Sequence, residues 1–201
     1  MNLEQLCNAV CKIASEAGSF IRQEGKKFQS SSIEHKGIND FVSYVDKIAE
    51  KLIVDQLNPL INDAGFLTEE NTLSIVGKRY QWIVDPLDGT TNFIHGLPPY
   101  CVSIGLTVNG KLCLGVIYEI NLDECFYAWK NGGAWLNGKK IFVSEKNELK
   151  DALLATGFPY TNFSRMKPYM EIFDYCMKND PASLAILQTA LQSCSRFIAV
   201  I

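Results

Sequence analysis

The chain has 201 residues, 47% of them hydrophobic and 20% charged, with a net charge of −3. That length supports one core, or one domain with part of a second, and the composition excludes disordered, collagen-like and coiled-coil chains. The acidic balance lacks the basic patch of a nucleic-acid binder but leaves room for an anionic substrate, because a bound cation reverses the local sign.

No apolar run reaches the length of a membrane span, and Met1-Asn2-Leu3-Glu4-Gln5 has neither region of a signal peptide. We therefore expect a cytoplasmic protein without membrane or nucleic-acid partners. Seven cysteines, an odd number lying mostly in apolar segments, read as buried reduced thiols. Cys7 and Cys11 share one helical face, but no histidine stands near them in sequence to complete a zinc site.

Residues 3–24 carry apolar positions at helical period: Leu3, Leu6, Cys7, Val10, Ile13, Ala14, Ala17 and Ile21. Gly25 is a stop. Residues 26–38 read as a polar connection with room for a short hairpin. A second helix is expected from near Phe41 or Val42, capped by Asp40. Val45, Ile48, Ala49, Leu52, Ile53 and Leu57 form its apolar set, and Pro59 ends it. Gly65-Phe66-Leu67-Thr68 follows as a short extended run leading into Glu69 and Glu70.

Tyr80-Gln81-Trp82-Ile83-Val84-Asp85 has a buried-strand pattern ending in an acid. Residues 101–108, 112–118 and 124–129 read as further strands, the first two joined by an Asn109-Gly110 hairpin turn. Asn131-Gly132-Gly133 and Asn137-Gly138 mark more turns, 153–156 another strand and 165–177 a helix. Helices first and then a mostly antiparallel sheet argue for an α+β fold, not a Rossmann alternation. The aromatics Trp82, Phe93, Tyr100, Tyr118, Phe126, Trp129 and Trp135 read as sheet core.

Chemistry concentrates in Asp85-Pro86-Leu87-Asp88-Gly89-Thr90-Thr91-Asn92-Phe93. A buried strand delivers Asp85, and Pro86 stiffens the turn. Asp88 follows three residues on, so both carboxylates can face one point. Gly89 permits close backbone approach, and the N–H groups of Thr90 and Thr91, opening a helical turn, can receive a phosphate. Hard oxygen donors so arranged suit Mg²⁺, and two carboxylates can bridge a pair of ions across an in-line displacement. In isolation D-x-x-D-G reads first as an Asp-Pro turn with a capped helix. His95 and His35 have no Ser or Cys motif to form a nucleophile triad, so His95 is expected to face solvent or pack.

The longer string resembles the D-P-[IL]-D-G-T-x-N motif of the inositol monophosphatase family. Phe66-Leu67-Thr68-Glu69-Glu70 is similar to the glutamate pair preceding that motif, and the segment from Lys36 to Asp46 to the family's K-x(4)-D-x-V-T-x-x-D element, with Ser43 for threonine. Asn92-Phe93-Ile94-His95-Gly96-Leu97-Pro98 resembles the inositol-phosphatase-like branch, not the bisphosphate nucleotidases. Gly115-Val116-Ile117-Tyr118 and the turn from Asn131 to Gly138 also match, in the correct order.

The resemblance implies a layered αβαβα sugar-phosphatase fold, with residues 1–150 as its metal- and phosphate-binding domain and 151–201 as a partial second domain. It implies Mg²⁺-dependent hydrolysis of myo-inositol 1-phosphate or a similar polyol or sugar phosphate, and a homodimer in an intact relative. Glu69, Asp85 and the Leu87 carbonyl would bind a first metal, and Asp85 and Asp88 a second. Thr90, paired with Asp46, would activate water. Leu87, Asp88, Gly89, Thr90 and Thr91 would line the substrate, with the Gly89 and Thr90 amides on the phosphate. Glu70 would stand behind the ligands or face solvent.

Related phosphatases of 3′-phosphoadenosine 5′-phosphate, fructose 1,6-bisphosphate or histidinol phosphate are alternatives, as is a fragment that binds metal or phosphate without turnover. The family's later W-D-x-A-A-G element, whose aspartate completes the second metal site, does not occur in the 201 residues. After Asn179 we see no similarity to the family, and expect a shortened chain with a replaced tail.

Overall fold

The computed structural model describes residues 1–27, 33–35, 41–70, 75–77, 79–148, 151, 154–156, 162–179 and 184–186, with backbone alone at 33–35, 41–43, 154–156, 179 and 184–186. Helix α1 runs Leu3–Gly25, and the Asn2 side chain caps it by accepting from the Gln5 N–H at 3.2 Å. Its buried face carries Leu6, Cys7, Val10, Ile13, Ala14, Ala17, Gly18 and Ile21, matching the apolar period of the sequence.

Strands β1 (Ile33–His35) and β2 (Phe41–Ser43) pair antiparallel, so the hairpin begins in the 26–38 connection but its second strand lies beyond it. Helix α2 (Tyr44–Leu57) therefore starts later than expected, because Phe41 and Val42 are spent on strand pairing. Asp40 lies outside the described residues. A 3-10 turn, Asn58–Leu60, closes α2 with Pro59 inside it.

The buried side of α2 differs from the apolar set of the sequence. Val45, Ala49, Ile53 and Leu57 face inward as expected, but Ile48 and Leu52 are exposed while Asp46 and Glu50 are buried. Two acids on the inner face of a helix mark a surface built for something other than packing.

A seven-stranded sheet follows in simple order: β3 (Gly65–Thr68), β4 (Tyr80–Asp88), β5 (Cys101–Val108), β6 (Lys111–Glu119), β7 (Glu124–Trp129), β8 (Gly133–Leu136) and β9 (Lys139–Ile141). Only the first pair, β3 with β4, is parallel; the other five are antiparallel. Asn109 and Gly110 both adopt positive φ, as do Asn137 and Gly138, the backbone that short hairpins demand. The turn residues were legible in sequence, but β8 and β9 were not: each is too short to show alternation.

Helices α1 and α2 cover one face of the sheet, and the core between them holds Trp82, Val84, Val102, Ile104, Leu106, Leu114, Val116 and Tyr118. Trp82, Phe93 and Tyr118 are core as expected, whereas Tyr127, Trp129 and Trp135 form a half-buried row of near-parallel rings on β7 and β8. On the sheet's other side Cys101, Ile117 and Phe126 cluster. Strand β10 (Leu154–Thr156) pairs parallel with β11 (Leu184–Ile186), and α4 (Met166–Asn179) lies between them in sequence. The expected start of β10 at Leu153 lies outside the described residues, as do 180–183 and 187–201 of the tail. The whole is α+β, as the order of elements implies.

Candidate functional site

The parallel pairing of β3 and β4 builds the site. Thr68 stands opposite Val84, so the next residues, Glu69 just past β3 and Asp85 within β4, lie side by side. The Glu69 N–H donates to the Val84 carbonyl at 3.3 Å, carrying the ladder one step past β3. An antiparallel partner would have sent the two acids to opposite ends of the sheet.

A bulge then turns β4. Asp85 is opposite Ser103 and Asp88 opposite Cys101, so three steps on β4 match two on β5. Pro86, which has no N–H to give the ladder, sits inside that bulge. The Leu87 N–H donates to Asp85 Oδ1 at 3.2 Å, and the buried Cys101 thiol donates to Asp88 Oδ2 at 3.8 Å. Asp88 is buried, Asp85 is half-buried and Glu69 is exposed, so the acids line a graded opening from core to solvent.

Gly89, at φ 92 and ψ 34, takes the left-handed conformation and opens α3 (Thr90–Ile94). The Thr90 hydroxyl donates to the Leu87 carbonyl at 2.9 Å, which folds the loop back on the bulge. The Asn92 side chain donates to the Pro99 carbonyl at 2.9 Å and ties the loop leading into β5. Phe93 is buried edge-on against Tyr100, with ring centroids 5.4 Å apart. His95 caps the end of α3 and is exposed, the solvent-facing place expected of it.

From the helical layer, the first turn of α2 contributes Asp46, 2% exposed. The acids influence one another electrostatically. Burial, then the charges of Glu69 and Asp88, a hydrogen bond with Glu69 and the charge of Asp46 together push the Asp85 carboxyl well above the ordinary carboxylate range. Three carboxylates, Asp46 on α2, Glu69 just past β3 and Asp88 on β4, thus act on Asp85.

These donors are all oxygen, the chemistry that suits Mg²⁺, and the mutual repulsion at Asp85 is what a divalent cation would relieve. In their present spacing Asp85 and Glu69 share a hydrogen bond, and among the described residues no three His, Cys, Asp or Glu side chains are gathered into a group that could hold a metal ion. The donor set fits the cation in kind, and burial with the neighbouring acids disfavours the charge on Asp85.

Sequence reasoning did not single out Glu50 or Cys101. Glu50 is fully buried and accepts from the Glu70 N–H at 2.6 Å. No signal in the sequence would have found Glu50: the stripe Val45, Ala49, Ile53 and Leu57 is flanked by Asp46 and Glu50 on one side and by Ile48 and Leu52 on the other, and only packing chooses which side is buried.

The model of one protein family, described as the inositol monophosphatase family, matches residues 2–195. The chain belongs to the inositol monophosphatase family. The match continues past Asn179, so the similarity extends further along the chain than the sequence motifs suggest.

Among curated relatives, "Inositol monophosphatase 2" of Solanum lycopersicum is 43% identical over 159 residues, 77% of this chain and 59% of the relative. "Fructose-1,6-bisphosphatase/inositol-1-monophosphatase" of Aquifex aeolicus is 38% identical over 165 residues, 82% of this chain and 62% of the relative. The chain thus spans about three fifths of the length of these members of the inositol monophosphatase family. The crystal structure of extragenic suppressor protein suhB from Bartonella henselae superposes with a TM-score of 0.86 at 33% identity, covering 98% of this chain and 75% of that one. No helix among the described residues is long and apolar enough to cross a membrane.

Proposed function

We propose that this chain carries the site of a phosphomonoesterase acting on a small polyol or sugar phosphate, with myo-inositol 1-phosphate as the first candidate. The observation that carries this reading is the parallel register that sets Glu69 beside Asp85, with Asp88 following across the bulge of β4 and Asp46 buried on α2. Family membership supports the reaction class, and the names of the tomato and Aquifex relatives support testing inositol and fructose phosphates side by side.

In this reading Glu69, Asp85 and the Leu87 carbonyl would hold one Mg²⁺, and Asp85 and Asp88 would hold a second. Bound there, the ions would neutralise the phosphate and lower the pKa of the attacking water. The chain's own groups do the rest. Gly89 and Thr90 present backbone N–H groups to the phosphate oxygens. Thr90 orients the water, and Asp46, held at the first turn of α2, accepts its proton. The Thr90 hydroxyl bond to the Leu87 carbonyl keeps that hydroxyl beside the ligand loop.

The test is Mg²⁺-dependent phosphate release from inositol 1-phosphate and fructose 1,6-bisphosphate by the purified 201-residue chain, beside Asp85→Asn. We expect turnover that needs the cation and falls by about 100-fold or more in the variant, the scale of losing a group that acts on transition-state charge. Folded protein without cation-dependent turnover on either ester would overturn the reading for this chain.

A further inference from the structure

Glu50 is the buried acid that the reaction above does not use. It is 0% exposed, one helical turn after Asp46 on the inner face of α2. Burying a carboxylate is unfavourable unless hydrogen bonds compensate it. Its Oε2 accepts from the Glu70 backbone N–H at 2.6 Å, a short, charge-assisted bond.

The position of that amide matters. Strand β3 ends at Thr68, and the next residue, Glu69, is the acid that touches Asp85. Glu69 is anchored through its own N–H to β4 at 3.3 Å, and Glu70 through its N–H to Glu50 at 2.6 Å. The peptide carrying Glu69 is therefore pinned on one side to the sheet and on the other to α2. The same helix carries Asp46, so one rigid element sets both acids relative to Asp85.

We propose that Glu50 is a positioning residue: its buried carboxylate fixes the turn at Glu69 and Glu70, and through it holds the Glu69 carboxylate against Asp85. The claim that this prepares a cation site rests on the proposed function; the claim that Glu50 fixes the turn does not. What Glu50 supplies is an acceptor oxygen at a set reach. Glutamine keeps both reach and acceptor, aspartate keeps the charge but draws the oxygen back by one methylene, and alanine removes both.

The experiment compares Glu50→Gln, Glu50→Asp and Glu50→Ala in the full chain. It reads amide hydrogen exchange at Glu70, Mn²⁺ binding by calorimetry, and kcat and KM on inositol 1-phosphate. We expect Glu70 exchange to accelerate in the Asp and Ala variants, with Mn²⁺ affinity falling by about 10–100-fold, the usual effect of removing a residue that orients a ligand. KM for the ester should move much less than the Mn²⁺ dissociation constant, and Gln should stay near wild type in every readout. If the Ala variant does not fold, the contrast between Asp and Gln decides. Unchanged Glu70 exchange in folded Asp and Ala variants would overturn the proposal, as would loosened exchange with wild-type Mn²⁺ affinity. Should the wild-type chain bind no Mn²⁺, the reading of the site as a cation centre fails by itself, and the exchange rates alone still judge the role of Glu50.

Discussion

Asp85 is held in a conflict that folding creates. In the unfolded chain its carboxyl is solvated and distant from Glu69 and Asp46; in the folded chain burial and three neighbouring acids disfavour its charge. At neutral pH that repulsion works against the native state. Replacing Asp85 by asparagine removes one of the like charges and keeps the shape. We therefore predict that Asp85→Asn, without divalent cation at pH 7, is more stable than wild type by about 1 kcal/mol, a rise in Tm of roughly 2–4 °C for a chain of this size. The same variant is the inactive control above, so activity and stability should move in opposite directions. Thermal unfolding in chelator would refute this if the variant melted at or below wild type.

The approach of α1 to the sheet depends on Gly18. A Cβ there would lie 2.3 Å from the Tyr118 ring and 3.3 Å from Ile120. That ring has little freedom to yield: its hydroxyl bonds Asp123 and takes a hydrogen bond from Arg22, which also donates to the Ile120 carbonyl. In an exposed helix Gly→Ala adds about 1 kcal/mol of stability through propensity. Here the overlap with a fixed ring wins, and we predict that Gly18→Ala destabilises by about 1–3 kcal/mol, the cost of overpacking. The midpoint of urea unfolding measures it; a stabilised variant would show that α1 can shift without loss. The helical period identified α1 as amphipathic, but it could not rank a glycine on the buried face, because the need for it comes from a tyrosine a hundred residues away.

Across the whole molecule, α1 and β7 bring three thiols together. Cys11 hydrogen-bonds with both Cys7 and Cys125, and the Cys7 thiol donates to the Ala128 carbonyl at 3.9 Å. At Cys11 the contact with Cys125 favours the thiolate, but the bond with Cys7, burial and the Cys7 charge outweigh it, and the thiol is pushed up to about 12. Cys125 is pushed up as well, first by its hydrogen bond with Cys11 and then by burial. The sign follows from linkage. A thiol whose folded pKa lies above its unfolded value near 8.5 contributes stability that is whole below that pH and is lost as pH rises beyond it. Wild type should therefore lose more Tm between about pH 8 and 10 than Cys125→Ser, whose hydroxyl does not titrate there. Parallel melting curves for the two proteins would remove the thiol cluster from the pH response.

Local chemistry decided much of this protein before any contact formed. The period of Leu6, Val10, Ile13 and Ala17 made α1, the Asn-Gly pairs made hairpins, and the string from Asp85 to Asn92 announced a loop rich in hard oxygen donors, since turn geometry and amphipathicity act over a few residues. Tertiary structure decided the rest. Parallel pairing of β3 with β4 set Glu69 beside Asp85, the bulge at Pro86 swung Asp88 inward, and the packing of α2 buried Asp46 and Glu50 while leaving Ile48 and Leu52 in water. Those outcomes depend on which strand is the neighbour and which helical face meets it, and neighbours far apart in sequence are chosen only when the chain closes on its core.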